Sequence, residues 1–400
     1  MPAGIGRDRG RVWHQRSLAQ FTEETVLSSV PRLVVPDGTE LTTVSVVIPA
    51  YTMDRWESLC EAVDSVQAQA YPYLETIVVV DHSPGLLERA ERELKAAKVI
   101  PSAGTPGVSG ARNTGVSASR GELVAFLDED AVASPEWLST LIENFVETTI
   151  VGAACYIKPL WAKRRPWWLP PEFNWAVGIS YRGMPHSPTA VRNVWTCSMV
   201  MRRYAFEAVG GFRDGLGKVG NRPWPEDTDL CLRVAAMSGK AVWLYDPRGV
   251  VHHRVPVSRT TLIFFLRRCF DEGWGKAHLA KLDGAGESTS LERKYVQSIL
   301  PGGLARALGE AVRGNLAGLF RGGAIVAGLS AAAAGYLGYQ FVSIRACYNA
   351  DRHTLPGTAD SQPKGPVAVM RTSIAAQGQS VISDGGRRAQ QTVQRDWCSG

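Results

Sequence analysis

Short apolar runs alternate with amphipathic stretches in the first third of the chain. Residues 44–127 contain three runs rich in Val, Ile and Leu, and a segment with Leu59, Val63 and Val66 at helical spacing separates the first two. Strand-like runs that alternate with helical segments are typical of a parallel sheet covered by helices. The predicted strands are 44–51, 75–83, with Asp81 at its carboxyl end, and 123–127. This pattern predicts an α/β fold with a mostly parallel central sheet.

Beyond residue 130 the pattern is more mixed. The predicted elements are a helix at 135–146, strands at 150–157 and 194–201, helices at 204–209 and 226–238, and strands at 241–245 and 249–251. Residues 158–193 are rich in Pro and Trp, which predicts an irregular segment.

The C-terminal part contains a long stretch without charge. Residues 260–282 have the spacing of an amphipathic helix, and no charged residue lies between Arg321 and Arg345. This length is sufficient to cross a bilayer, which needs about 20 apolar residues. Many Gly and Ala residues make the stretch only weakly hydrophobic, so an interfacial hairpin and one weak span both stay open. In either case the pattern predicts membrane association.

A basic and aromatic segment gives a second, weaker membrane signal. Residues 161–168 read W-A-K-R-R-P-W-W, a composition that suits a lipid headgroup interface. The alternative is that these Trp residues pack under a loop while the basic residues are solvated. Both interpretations stay open on sequence alone.

These patterns divide the chain into five segments. The predicted segments are an N-terminal extension at 1–41, an α/β domain at 42–258, a helical extension at 259–300, an apolar membrane-associated segment at 301–346 and a disordered tail at 347–400. The extension has Arg-rich patches but no apolar core of the signal-peptide type. The tail is rich in Gly, Ser, Gln and Arg and lacks periodicity.

Composition narrows the class of protein. The chain has 400 residues, of which 45% are hydrophobic, so it can bury a full core. Its seven cysteines are odd in number and lack CxxC spacing, which favours a reducing, cytoplasmic compartment over a disulfide framework. The net charge of +6 is modest for this length, and we expect no nucleic-acid partner.

The strongest candidate for chemistry is an acidic triplet directly behind the third apolar run. Asp128 and Asp130 share one side of an extended chain, while Glu129 faces the other. Two convergent carboxylates repel each other unless a cation lies between them. Mg²⁺ or Mn²⁺ suits such oxygen ligands, together with substrate phosphates. The alternative is a solvated acidic turn.

Three further motifs stand in order along the chain. Asp81 ends the second predicted strand, where ligands bind in open α/β sheets. The glycine-rich segment 107–115 carries Arg112, which can meet phosphate oxygens or a base carbonyl, or form an ion pair with the acids behind it. Glu226 and Asp227 lie at a helix start, where the dipole favours an ionised carboxylate.

Together these residues resemble the family 2 glycosyltransferases of GT-A fold. The matching residues are Pro49, Tyr51, Asp81, Gly110-Ala111-Arg112-Asn113, the Asp-x-Asp triplet, Gly210-Gly211-Phe212, Glu226, Asp227, Asp229 and Arg233. One departure is that Asp81 stands alone where the family commonly has two Asp and a Gly. Within the family the chain is most similar to archaeal glucosyl-dolichyl phosphate glucuronosyltransferases, through residues 61–66, 131–137 and 168–173.

The resemblance implies a role for each matched residue. A nucleotide-sugar donor would contact Pro49, Tyr51, Asp81, Arg112 and Asp128. A divalent metal would be held by Asp130 and Asp128, and a late histidine, His252 with His253 as its competitor, would complete the shell. Asp227 is the expected general base of an inverting single displacement, and Glu226 would orient the acceptor.

The leading prediction is a metal-dependent inverting glycosyltransferase that uses Mg²⁺ or Mn²⁺ and a nucleotide-diphosphate sugar, with UDP expected. Its acceptor would be a lipid-linked or other glycan at the cytoplasmic face of the membrane. A processive polysaccharide synthase is one alternative, but the chain has no Gln-x-x-Arg-Trp motif and no set of several spans. A non-catalytic nucleotide-sugar-binding paralogue is the other, and the intact Asp128, Asp130 and Asp227 argue against it. The sugar and the natural acceptor stay open.

Overall fold

The computed structural model describes residues 33–34, 40–72, 74–219, 222–237, 239–282 and 290–354. The described residues up to 349 belong to one compact unit. The sheet and the helices that pack on it belong to this unit. The predicted extension at 1–41 and the predicted tail at 347–400 lie almost entirely outside the described residues.

One large sheet of nine strands organises this unit. The strands are β1 (Val44–Ala50), β2 (Leu74–Val80), β3 (Lys98–Pro101), β4 (Leu123–Phe126), β5 (Ala131–Ala133), β6 (Ile150–Trp161), β7 (Thr189–Val191), β8 (Val200–Arg202) and β9 (Val242–Val255). Their order is β3-β2-β1-β4-β8-β6-β9-β5, and β7 also pairs with β9. Most paired residues are parallel, and β8 runs antiparallel between β4 and β6. The predicted α/β class is confirmed.

Helices cover both faces of the sheet. They are α1 (Trp56–Gln67), α2 (Pro84–Glu93), α3 (Val108–Ser117), α4 (Trp137–Ile142), α5 (Arg203–Ala208), α6 (Glu226–Met237), α7 (Leu262–Leu282), α8 (Ser290–Lys294), α9 (Leu300–Val312) and α10 (Ala317–Thr354). Short 3₁₀ turns lie at Met53–Arg55, Glu143–Val146, Pro171–Val177, Thr196–Ser198 and Val257–Thr260, and a π turn lies at Tyr295–Ile299.

The central strands are apolar on both sides because both faces are buried. In β1, Val46 and Ile48 pack in one cluster with α1, whereas Val47 packs in a second cluster with α3 and α6. This burial explains why the strand reads as a continuous β-branched run instead of an alternating pattern. The carboxyl ends of β1, β2 and β4 therefore meet at one rigid edge.

The C-terminal helices build a third core cluster on the same unit. Phe265 of α7 and Ile325 of α10 are buried together with Phe173 from the 3₁₀ turn. Ala317–Ser343 has a mean hydropathy of 1.4. By its length and composition alone, this helix could cross a membrane. One side of the predicted membrane-associated segment thus packs on the folded domain.

Several element boundaries differ from the sequence prediction. The predicted strands at 241–245 and 249–251 are one strand, β9, because a shift of register between Asp246 and Val250 accommodates the intervening Pro and Gly. The predicted strand at 194–201 is reduced to β8 and a 3₁₀ turn.

Gly152 of β6 offers a test of sheet packing. A Cβ added there would lie 2.1 Å from Cζ3 of Trp243, whose indole is buried and donates to the Cys231 carbonyl at 3.0 Å. We expect Gly152→Ala to lower the free energy of unfolding by about 1–3 kcal/mol, the usual cost of overpacking. Urea unfolding followed by tryptophan fluorescence measures it.

The matched control is Gly85→Ala in α2, where the added Cβ has nothing within 4 Å. This control should be neutral or slightly stabilising, because Ala is the better helix former. Equal stability of the two variants would show that the indole does not restrict the residue at position 152.

Candidate active site

A cleft of about 1450 Å³ opens at the carboxyl ends of β1, β2 and β4. It is lined by eight of the nine predicted site residues: Pro49, Tyr51, Asp81, Arg112, Asp128, Asp130, Glu226 and Asp227. The ninth, His252, is not among its lining residues, and His253 is. The residues converge because parallel strands end at the same edge and α3 and α6 begin beside it.

The acidic triplet forms a turn that is held in place by hydrogen bonds from Tyr51 and Arg55. The Ala131 N–H donates to the Asp128 carbonyl at 3.0 Å, so the segment is not extended as the sequence suggested. Glu129 is buried and accepts from the Tyr51 N–H at 3.2 Å and from Arg55 Nη1 at 3.1 Å. Its role is to anchor the turn, while Asp128 and Asp130 stay available to the cleft.

Asp128, Asp130 and His253 form a compact group. One ligand atom from each lies within 4.8 Å of the others, and His253 Nε2 lies 3.4 Å from Asp130 Oδ1. His253 pairs with Ala131 in the sheet, next to the triplet. Side chains alternate along β9, so His252 points away from this group. The geometry favours the competitor, His253, over His252.

Cations surround Asp130. Arg55 Nη1 lies 3.1 Å and Arg259 Nη2 lies 3.9 Å from Asp130 Oδ2. Burial disfavours the charged carboxylate, but the hydrogen bond and charge of His253, with the charges of Arg55 and Arg259, outweigh it and hold the pKa of Asp130 below its usual range. Asp130 is therefore ionised at neutral pH.

Arg112 joins the two acidic parts of the cleft. Its guanidinium is buried and donates to Asp128 Oδ1 at 2.8 Å and to Glu226 Oε1 at 3.0 Å. The ion pair, one of the alternatives open for this residue, is the arrangement in the structure. Arg112 thereby fixes the distance between the acidic triplet and the start of α6.

Asp81 orders the glycine-rich segment. Its Oδ2 accepts from the Gly107 N–H at 2.9 Å, and its Oδ1 lies 2.8 Å from His82 Nδ1. Gly107 has φ of 125°, which residues with a side chain rarely adopt. The contact therefore holds the entrance of α3 beside the cleft.

Glu226 and Asp227 form a half-buried acidic pair at the first turn of α6. Burial raises the pKa of both, and their mutual charge adds to the rise for Glu226. The Lys276 ammonium opposes the rise for Asp227, and the Thr228 N–H donates to Asp227 Oδ1 at 2.7 Å. Burial thus opposes the helix dipole, which favours the ionised carboxylate and was the only effect used in the sequence prediction. A carboxylate with a raised pKa is a stronger base.

Asp229 has a different position from its neighbours. It is fully buried and pairs with Arg233 at 2.7 Å and with Arg213 at 2.9 Å. These contacts tie α6 to the Gly210–Gly211 turn, because Arg233 also donates to the Gly211 carbonyl.

Sequence reasoning missed the basic residues that complete the cleft. Arg55, Arg259, Arg268 and Lys276 all line it. Lys276 of α7 pairs with Glu292 at 3.0 Å and with Glu272 at 3.5 Å. These residues carry no local motif. Arg268 and Lys276 reach the site on α7, whereas Arg55 and Arg259 reach it on the short 3₁₀ turns Met53–Arg55 and Val257–Thr260.

The donor set fits a divalent cation. Two carboxylates and one imidazole suit Mn²⁺, and carboxylates also suit Mg²⁺. No other group of this kind occurs among the described residues searched.

Comparisons with known proteins identify the family. The sequence profile of glycosyl transferase family 2 matches residues 45–210. The glucosyl-dolichyl phosphate glucuronosyltransferase of Haloferax volcanii is 32% identical over 240 residues, which are 58% of this chain and 76% of that protein. The chain belongs to glycosyl transferase family 2.

One further relative and one solved structure are also similar to this glycosyltransferase. The succinoglycan biosynthesis protein ExoM of Rhizobium meliloti is 32% identical over 42% of this chain and 50% of its own length. The mannosyltransferase PcManGT from Pyrobaculum calidifontis, solved with GDP-Man and Mn²⁺, has a TM-score of 0.50 at 20% identity, over 79% of this chain and 92% of that chain. The predicted GT-A fold is confirmed by this likeness.

The two adjacent histidines give this glycosyltransferase a matched test. We expect His253→Ala to weaken Mn²⁺ binding by at least about tenfold, because its imidazole lies in the ligand group. His252→Ala should bind Mn²⁺ like the wild type. Calorimetric titration with Mn²⁺ in the presence of UDP measures both. Equal loss in the two variants, or a larger loss at His252, would contradict the assignment.

Proposed function

We propose that this glycosyltransferase is a metal-dependent inverting enzyme. It moves a sugar from a nucleotide-diphosphate donor, with a UDP-sugar as first choice, to a polyprenyl-linked acceptor at the cytoplasmic membrane face. The observation that carries the proposal is that one cleft joins the Asp128, Asp130 and His253 group to the Glu226 and Asp227 pair through Arg112.

In the donor half, Asp128, Asp130 and His253 would hold Mg²⁺ or Mn²⁺. When bound, such a cation neutralises charge on a diphosphate leaving group. Asp81 and the ring of Tyr51 line the same half and are proposed to contact the nucleotide. Arg55, 3.1 Å from Asp130, adds a positive charge toward phosphate oxygens.

In the acceptor half, Asp227 would take the proton of the attacking hydroxyl. Such a hydroxyl has a pKa far above neutral, so attack on the anomeric carbon needs a base within hydrogen-bond reach. The raised pKa of Asp227 suits this task. Glu226, held by Arg112, would orient the acceptor, and direct attack inverts the anomeric centre.

Aromatic side chains in the cleft support an apolar acceptor. Trp175, Tyr181, Trp195 and Tyr295 line the cleft, together with Tyr336 from the apolar helix α10. The name of the Haloferax relative, a glucosyl-dolichyl phosphate glucuronosyltransferase, also supports a polyprenyl-linked acceptor. The helix Ala317–Ser343 supports membrane association.

Substitution of Asp227 separates chemistry from donor binding. Asp227→Asn keeps the size of the side chain but removes its basicity, so turnover should fall by about two to four orders of magnitude. Donor affinity should stay near wild type, because other residues hold the metal and the nucleotide. The assay is transfer rate at saturating donor, chosen from a nucleotide-sugar panel, with membrane extract as acceptor.

Two further readouts sharpen this test. The wild-type rate should fall as the pH decreases, and the midpoint of this fall should lie above the ordinary pKa range of aspartate. The reason is that burial raises the pKa of Asp227 and protonated Asp227 cannot act as a base. Asp64→Asn, an exposed position on α1, is the matched control and should leave the rate unchanged. Near-normal turnover of Asp227→Asn would exclude it as the base, and joint loss of affinity and rate would assign it to donor binding.

A further inference from the structure

We propose that α9, the first turns of α10 and the segment 163–169 form a docking surface for an anionic phospholipid bilayer, with a lipid phosphate bound in an arginine-lined cavity. The proposal rests on the proposed function in one respect: it names the surface through which this enzyme contacts the membrane. Lipid binding itself requires neither donor nor catalysis. We refer to these three segments as the lipid-docking surface.

The cavity is separate from the catalytic cleft. It has a volume of about 290 Å³ and shares no lining residue with the cleft. Its charged lining residues are Arg165, Arg182, Arg306, Arg321, Glu172 and Glu310. Four arginines against two glutamates leave an excess of two positive charges.

The carboxylates do not satisfy all of these arginines. Glu172 is buried and pairs with Arg306, with Arg182 more distant at 3.9 Å, and Glu310 pairs with Arg321. Among the described residues, the acceptors of Arg165 are neutral: the Leu169 carbonyl at 2.8 Å and Asn174 Oδ1 at 3.1 Å.

A bound anion would stabilise the charged form of Arg165. Burial lowers its pKa, and the positive charges of Arg321 and Arg182 lower it further. Guanidinium groups bind phosphate oxygens in pairs, so several convergent arginines suit a phosphate monoester or diester. The cavity is large enough for a single headgroup phosphate.

The helices that line the cavity expose apolar side chains on their outward faces. On α9, Leu304, Leu308 and Val312 recur every four residues and are exposed, Val312 by 82%. The chain continues with the exposed residues Leu316, Leu319 and Phe320. Extended apolar surface of this kind marks an interaction site.

A tryptophan connects this apolar surface to the cavity. Trp167 lines the cavity, is 57% exposed and packs edge-to-face on Phe320 at 4.7 Å. Its backbone carbonyl accepts from Arg321 at 2.9 Å. Exposed Lys163 and Arg164 precede it. Indole rings and basic side chains together are typical of the headgroup level of a bilayer.

The packing of α10 favours a helix that lies on the bilayer over one that crosses it. A Cβ added at Gly335 would lie 2.0 Å from the Phe270 carbonyl oxygen, and one at Gly273 would lie 1.8 Å from the Ala332 carbonyl oxygen. The α7 and α10 backbones are therefore in close contact. Because α7 also carries the cleft residues Glu272 and Lys276, α10 has only its outward side free for lipid.

Charge complementarity identifies the partner as an anionic bilayer. The cavity is basic, its rim is basic and aromatic, and the adjoining surface is apolar. Leu329 and Tyr336 of α10 also line the catalytic cleft, so an acceptor anchored in the same bilayer would enter beside Asp227.

Vesicle flotation tests the proposal. Wild type should float with phosphatidylcholine vesicles that contain phosphatidylglycerol and much less with phosphatidylcholine alone. The double variant Arg182→Gln and Arg321→Gln should lower the partition coefficient on anionic vesicles by about tenfold or more, since one basic residue contributes about fivefold. The control, Arg92→Gln with Arg120→Gln, removes the same charge from exposed positions elsewhere and should float like wild type.

A second pair of variants tests the apolar part. Leu308→Gln should weaken flotation, while Val146→Gln, an exposed position in a 3₁₀ turn of the α/β domain, should not. Equal loss in the pocket and control variants, or equal flotation of wild type with neutral and anionic vesicles, would overturn the proposal. Thermal unfolding confirms that each variant is folded. Donor turnover is measured separately, so failure of lipid binding and failure of the proposed function are distinguishable.

Discussion

The buried ion pairs of Arg112 are the constraint on which the site depends. One guanidinium from α3 holds Asp128, in the turn after β4, and Glu226, at the start of α6. Loss of one partner of a buried ion pair costs about 3–5 kcal/mol, because the remaining charge stays buried and uncompensated. These ion pairs therefore restrain the spacing between the Asp128, Asp130 and His253 group and the start of α6, which carries the proposed base. We infer that this restraint holds a donor and an acceptor in fixed relation in one cleft.

Sequence reasoning succeeded where the signal is local. The runs of Val and Ile that form β1 and β2, and the helical spacing that forms α1, are properties of a few consecutive residues. The order of Asp81, Arg112, Asp128 and Asp227 along the chain was also enough to bring them to one cleft, because the parallel strands end at one edge. The pairing register of β9 determines which of the two histidines faces the acidic group, and this register cannot be read from the sequence. A shift of one residue on β9 exchanges His252 and His253 between the two faces of the sheet.

The C-terminal helices show the limit of composition. Gly and Ala residues of α10 predicted a weak membrane segment, yet Ala332 and Gly335 of α10 approach the α7 backbone at Gly273 and Phe270. In turn α7 brings Lys276 toward Asp227. The helix α10, which carries part of the exposed apolar surface, is thus packed against α7, whose Lys276 lowers the pKa of Asp227. We infer that membrane contact and catalysis share one structural support, although no motif in the sequence connects them.

We propose that Asp128, Asp130 and His253 would hold a divalent cation, which would neutralise charge on the donor diphosphate. Calorimetric titration of UDP with and without Mn²⁺, on wild type and Asp130→Ala, is the most direct test. We expect the UDP affinity of the wild type to depend on Mn²⁺ and this dependence to disappear in Asp130→Ala, because a methyl group cannot replace a ligand of a hard cation. An unchanged metal-dependent affinity in the variant would contradict this assignment and leave the triplet as an acidic turn.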